Sequence, residues 1–113
     1  MIKITLPVEN PQIEINGIVF DLQMSEVEIM ARANELQKKW SEKYSEKPAS
    51  EFTPEQIIPD MQEACSFIDE MLGAGATKRL SHGRPVRLQL MIRWITRVAE
   101  AAAATYAEAV TGE

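Results

Sequence analysis

The segment QIEINGIVFDL, residues 12–22, constrains the fold of this 113-residue chain more than any other. Its Asn16-Gly17 pair tolerates the positive φ angles of a type I′ turn, so the residues on either side are predicted to form a two-residue β-hairpin. That register sets Ile15 opposite Ile18 and Ile13 opposite Phe20, which places all four side chains on one apolar face. Two strands alone are marginal in water, so this face must rest on a helix.

The residues before the hairpin show the same alternation. In IKITL, residues 2–6, three apolar side chains alternate with Lys3 and Thr5. This pattern is compatible with a third strand. We therefore predict a β-ribbon over residues 1–23 with two or three short strands.

A long amphipathic helix is predicted to follow over residues 25–46. Ser25 as N-cap and Glu28 three residues later form a capping box at its start. Its apolar stripe has helical spacing and consists of Ile29, Ala33, Leu36, Trp40 and Tyr44. The polar residues around Pro48 then predict a surface loop over 47–53.

A second helix is predicted over residues 54–72. Thr53 is its expected cap and Pro54 suits its first position. Its predicted stripe is Ile57, Met61, Ala64, Cys65, Ile68, Met71 and Leu72. Gly73 follows the last apolar residue and is expected to end the helix in the left-handed conformation.

The stretch MLGAGATKRLSHGRP, residues 71–85, raises the question of a phosphate-binding loop. A dinucleotide fingerprint needs a third glycine where Lys78 stands and a strand where a helix is predicted, and a Walker loop needs glycine directly before its lysine. Residues 73–84 are therefore predicted to be a connector with one short turn that carries Leu80 inward.

The last helix is predicted over residues 85–111. Its main stripe is Leu88, Ile92, Ile95, Ala99, Ala102, Tyr106 and Val110, and Leu90, Met91, Trp94 and Val98 widen it. This apolar circumference exceeds what a small domain needs, which favours either a central core helix or a contact with another subunit. The predicted fold is one α+β, mainly α, domain over residues 1–113, with the hairpin packed on three main helices.

Charge is distributed unevenly along the chain. The formal net charge is -5, yet residues 78–99 contain six basic residues and no acid. Such clustering invites a nucleic-acid interpretation, although the segment could equally face acids of the preceding helix or of another copy. The acids of that helix, Asp60, Glu63, Asp69 and Glu70, are expected to face solvent. The predicted partner-binding residues are Leu90, Met91, Trp94, Val98, Arg84, Arg87, Arg93 and Arg97.

Catalytic chemistry finds little support in these residues. His82 has Ser81 beside it but no acid in the following seventeen residues, and no second His or Cys is spaced to complete a metal site with it. We therefore predict a non-enzymatic protein with no cofactor and no metal. The chain has no apolar run typical of a signal peptide or a membrane span, so a cytoplasmic protein without membrane contact is expected.

The order of these features resembles a known class of proteins. The hairpin INGIVFDL, a long charged helix, a second helix ending in FIDEMLGAGATKRLSHGR (residues 67–84) and a final helix are similar to small proteins found beside tail genes of long-tailed bacteriophages and prophages, among them the tail assembly chaperones. The likeness covers nearly the whole chain, and the alanine-rich end of the last helix departs from it.

The resemblance implies a non-enzymatic role in the bacterial host cytoplasm. Many copies would self-associate, coat a long helical tape-measure protein and recruit tail-tube subunits during tail assembly. Two alternatives stay open: a head-tail connector or other structural virion subunit, and a small nucleic-acid-binding protein that uses the basic residues 78–97.

Overall fold

The computed structural model describes residues 1–6 and 11–111 and confirms a mainly helical α+β fold. The chain forms β1 (Gln12–Ile15), β2 (Ile18–Asp21), α1 (Glu26–Tyr44), α2 (Pro54–Leu72), α3 (Ala76–Ser81) and α4 (Leu88–Thr111), with a short 3-10 turn at Ala49–Glu51. The predicted loop and connector thus each contain a short helical element.

The hairpin forms in the predicted register. Ile15 pairs with Ile18 and Ile13 with Phe20 in an antiparallel ladder. Asn16 and Gly17 have φ angles of 52° and 79°, as a type I′ turn requires. One face of the ribbon is directed into the core, where Ile13, Phe20 and Leu22 are buried.

The third strand is absent from the described residues, where the sheet has only two strands. Residues 1–6 are all exposed and lie outside any ladder. The interpretation of residues 2–6 as a third strand within this chain is therefore wrong.

The first two helices follow their local signals closely. The Oγ of Ser25 accepts a hydrogen bond from the backbone N–H of Glu28 at 3.3 Å, and α1 begins one residue after this cap. The buried side chains of α1 are Ile29, Ala33, Leu36 and Trp40. At α2, the Thr53 N–H donates to the Gln56 Oε1 at 2.9 Å, and the helix has the predicted bounds.

Helix α2 ends differently from the prediction. Gly73 has φ 112° and ψ 156°, which is an extended conformation that only glycine adopts readily, and not the left-handed helical one. The left-handed helical turn falls two residues later at Gly75, the N-cap of α3, with φ 80° and ψ 5°. The two glycines together reverse the chain between α2 and α3.

Helix α4 lies at the centre of the fold and packs against α1, α2 and β1. It begins at Leu88 instead of residue 85, and residues 84–87 are not helical. Its buried stripe is Leu88, Met91, Ile95, Val98 and Ala102, shifted from the predicted one. Ile92 and Ala99 are only half-buried because they line the open groove between α1 and α4.

Candidate functional site

A pocket of about 410 Å³ lies where the hairpin turn, α3 and α4 meet. We call it the hairpin pocket. Its lining residues are Ile15, Asn16, Leu80, Leu90, Arg93, Trp94, Arg97 and Val98. The hairpin positions Ile15, the short α3 carries Leu80 inward as the sequence predicted, and one side of α4 supplies the other large side chains.

Five of the eight predicted partner residues line the hairpin pocket, namely Leu90, Arg93, Trp94, Arg97 and Val98. Leu90 is 44% exposed and Trp94 is half-buried, so both are accessible in the isolated chain. Val98 is buried, which makes it part of the pocket floor.

The other three predicted partner residues lie elsewhere. Met91 is a core residue, 7% exposed, because α4 turns it toward the interior. Arg84 lines a shallow depression beside α2 and α3, and Arg87 lines another beside the start of α2. The structure therefore divides the predicted set between the hairpin pocket, the core and two neighbouring depressions.

The basic segment has no acidic partner within the described part of the chain. None of Lys78, Arg79, Arg84, Arg87, Arg93 and Arg97 makes an ion pair there. Arg79 instead lies over the ring of Phe20, with its guanidinium carbon 5.0 Å from the ring centre. The two arginines of the hairpin pocket thus present uncompensated positive charge beside an apolar lining.

Two acids of α2, Asp60 and Glu63, pair with lysines of α1. Glu63 Oε1 lies 2.8 Å from Lys39 Nζ, and Asp60 Oδ2 lies 2.7 Å from Lys43 Nζ. The hypothesis that the basic segment faces the acids of the preceding helix in its own chain is therefore wrong.

Asp60 is buried, contrary to the expectation that it faces solvent. Its Oδ2 accepts hydrogen bonds from Lys43 Nζ at 2.7 Å and from the Tyr44 hydroxyl at 2.5 Å. Burial by itself would raise the pKa of Asp60, but the hydrogen bonds from Lys43 and Tyr44 outweigh it and hold this pKa below its ordinary value. Burial is the main reason that the pKa of Tyr44 is raised, and the hydrogen bond to Asp60 raises this pKa further.

Asp69 also has a structural role, which joins α2 to α3. Its Oδ1 accepts a hydrogen bond from the Thr77 N–H at 2.8 Å and another from the Thr77 hydroxyl at 2.8 Å. Gly75, at the N-cap of α3, has no side chain to bind this N–H, so Asp69 serves as the cap from the neighbouring helix. The motif that suggested a phosphate loop is thus a helix-helix junction.

A second apolar surface lies in the groove between α1 and α4. At one end it is lined by Trp40, Tyr44, Leu88 and Ile92, in a cavity of about 530 Å³. At the other end the cavity is about 250 Å³ and is lined by Met30, Ala33, Ala99 and Ala103. Gln37 and Thr96 line both cavities, and a hydrogen bond of 3.0 Å from Gln37 Nε2 to Thr96 Oγ1 bridges the groove between them.

The histidine of the sequence lines neither the hairpin pocket nor the groove between α1 and α4. His82 is exposed, in the left-handed conformation at the C-terminal end of α3. Across residues 1–6 and 11–111, no three His, Cys, Asp or Glu side chains are grouped so that they could hold a metal ion. No helix in these ranges combines the length and the apolar character needed to cross a membrane.

Sequence reasoning missed Asp60 and Asp69 as structural residues. The sequence contains their partners Tyr44 and Thr77, but nothing local indicates that a single carboxylate in a helix bonds to either of them.

The chain was compared with known proteins, and no curated protein and no solved structure matches it. A family model matches residues 16–111, which span nearly everything from the hairpin turn to the end of α4, and the chain therefore belongs to DUF6673, a family of unknown function.

Proposed function

We propose that this protein is a non-enzymatic assembly chaperone of a phage or prophage tail, acting in the bacterial cytoplasm on a long helical tape-measure client. The observation that carries the proposal is the hairpin pocket, where Leu90 and Trp94 lie beside Arg93 and Arg97 with no acid of the described chain paired to these arginines. The order of helices and strands along the chain supports the same role, because it resembles that of tail assembly chaperones.

The chemistry of the pocket favours an amphipathic helix with acidic flanks. An apolar side chain of the client would enter between Leu90 and Trp94, since buried aromatic contacts dominate the affinity of such interfaces. Carboxylates one helical turn away would pair with Arg93 and Arg97 through charge-assisted hydrogen bonds. Together these contacts would select helices that carry both an apolar stripe and acids.

The groove between α1 and α4 offers a second surface, on a different side of α4. Its apolar ends and the polar bridge from Gln37 to Thr96 suit another helical segment. A chaperone that holds a client and also recruits tail-tube subunits or other copies of itself needs more than one such surface. The groove thus supports a multi-partner role.

Co-expression with a phage tape-measure protein, the proposed class of client, tests the proposal. The client is expected to be soluble and to copurify with this protein. Arg97→Glu should abolish copurification, whereas Lys38→Glu, the same charge reversal on exposed α1, should not. Leu90→Asp should act like Arg97→Glu, with Ile58→Asp as its control because Ile58 is equally exposed at 48%. A client left insoluble, or equal binding by all four variants, contradicts the proposal.

A second candidate function is nucleic-acid binding, favoured by the six basic residues of 78–97, which make no ion pair within residues 1–6 and 11–111. Binding of a labelled duplex should then weaken steeply as salt rises, because displaced counterions drive the association. Absence of binding at low salt would exclude this function.

A structural virion subunit, such as a head-tail connector, would share the same binding surfaces. Mass spectrometry of purified particles separates the two roles. The chaperone is expected to be absent from finished particles, whereas a connector would be present in them.

A further inference from the structure

We propose that residues 2–6 of one copy add a third strand to the outer edge of β1 in a second copy, and that the exchange is reciprocal. This inference specifies the self-association that the proposed function includes. It does not depend on client binding, which involves the hairpin pocket and is measured separately.

The outer edge of β1 is open for such pairing. In this antiparallel ladder Ile13 and Ile15 bond to β2, and the bond from the Leu22 N–H to the Pro11 carbonyl at 3.0 Å continues the same alternation. The N–H and C=O groups of Gln12 and Glu14 therefore point away from β2. Both residues are exposed.

The outer edge of β2 is a poorer site. The Asp21 carbonyl on that edge already accepts a hydrogen bond from Gln23 Nε2 at 3.1 Å. The Gln23 N–H itself is bonded to the Met71 carbonyl at the end of α2, at 2.8 Å. The chain therefore leaves β2 bound to α2, and the edge of β1 is the better acceptor.

Residues 2–6 have the composition of the missing strand. Ile2, Ile4 and Leu6 are 90%, 75% and 69% exposed, which makes this segment the most exposed apolar run among the described residues. Lys3 and Thr5 alternate with them. Exposed apolar alternation of this kind is a template for strand pairing.

One antiparallel register satisfies both faces of the strand. If Ile4 lies opposite Ile13, then Lys3 lies opposite Glu14 and Thr5 opposite Gln12. The isoleucines share the apolar face, and the outer face gains an opposite-charge pair. In this register Lys3 and Thr5 supply the N–H and C=O groups that bond to Glu14 and Gln12.

The sequence between the two strands favours pairing with a second copy. Pro7 and Pro11 bracket the connection, and each favours an extended backbone in the residue before it. These two preferences disfavour a tight return of residues 2–6 onto β1 within one chain. Exchange of identical segments between copies is then the low-cost way to complete both ribbons.

Light scattering coupled to size exclusion tests the exchange. The wild-type protein at about 100 μM is expected to have the mass of a dimer or a multiple of it. Ile4→Asp and Thr5→Pro should each weaken association at least about tenfold, the first through the apolar face and the second by removing the N–H that bonds to Gln12. Val27→Asp is the matched control, because Val27 on α1 is 77% exposed.

Disulfide trapping tests the pairing itself. In a Cys65→Ser background, a Lys3→Cys chain mixed with a Glu14→Cys chain should form a disulfide-linked heterodimer under mild oxidation. The Lys3→Cys chain mixed with a Lys38→Cys chain should not. A monomeric wild type, a dimer unaffected by Thr5→Pro, or a Lys3→Cys/Glu14→Cys double variant that closes its disulfide only within one chain would each overturn the inference.

Discussion

Asp60 joins α2 to α1 through hydrogen bonds from Lys43 and Tyr44. Replacement by alanine would leave the Tyr44 hydroxyl without this acceptor, whereas Lys43 would keep the Gln56 carbonyl at 2.6 Å. We expect Asp60→Ala to lower the free energy of unfolding by about 1–2 kcal/mol, since a partly buried hydroxyl left without an acceptor is costly. Urea denaturation measures this change in stability. Glu70→Ala on the same helix is the control, and its free energy of unfolding is expected to stay within about 0.5 kcal/mol of wild type. Equal effects of the two would contradict the assignment.

The same carboxylate should make stability depend on pH. Because the folded-state pKa of Asp60 lies below its ordinary value, the unfolded chain binds the proton more readily. Its contribution is therefore complete above the unfolded-state pKa of about 3.9 and is lost as pH falls through the folded-state pKa. The stability gap between wild type and Asp60→Asn, measured by urea unfolding, should narrow below about pH 4. A constant gap from pH 7 to pH 3 would show that Asp60 is not the titrating group.

At this scale the sequence leaves the environment of a polar side chain undetermined. Asp60 and Asp69 have the same helical context as the exposed Glu70, and only tertiary contacts distinguish them. Lys43 and Tyr44 lie in a different helix from Asp60, so no spacing rule connects them to it. The burial of Asp60 and the bonds that Asp69 makes to Thr77 could therefore not be predicted from local pattern.

At the scale of elements, the junction between α2 and α3 depends on one cap. Asp69→Ala should cost about 1–2 kcal/mol, as loss of an N-cap does, because the Thr77 N–H loses its acceptor, whereas the Thr77 hydroxyl keeps the Cys65 carbonyl at 3.2 Å. Thermal unfolding followed by circular dichroism measures the loss. Thr77→Ser keeps the hydroxyl and should stay closer to wild type. A larger loss from Thr77→Ser than from Asp69→Ala would contradict the role given to the carboxylate.

Elements with a local chemical signature were predictable. The turn at Asn16-Gly17 fixed the hairpin register, and Ser25 and Thr53 marked helix starts within one residue. The stripe of α4 was displaced. Its buried residues recur regularly from Leu88 to Ala102, but the helix is apolar around so much of its circumference that the sequence fits a neighbouring strip equally well. For the hairpin pocket, sequence predicted the α4 contribution but not Ile15, which comes from the turn.

At the scale of the whole molecule, the chain exposes more surface than a compact monomer of its mass. Its accessible surface is 7981 Å², whereas about 6,200 Å² is expected for 12.7 kDa. The exposed residues 1–6 account for part of this excess. Docking of that segment on a second copy would bury it and convert a marginal two-stranded ribbon into a three-stranded one.

Strand exchange would also couple stability to concentration. If the dimer is the folded form that gains the third strand, the melting temperature should rise by several degrees between about 1 and 100 μM protein, because mass action favours association. Differential scanning fluorimetry at both concentrations measures the rise. Thr5→Pro should melt at the same temperature throughout, near that of the dilute wild type, while Val27→Asp should retain the wild-type dependence. A wild-type melting temperature independent of concentration would mean that residues 2–6 add nothing to the folded state of a second copy.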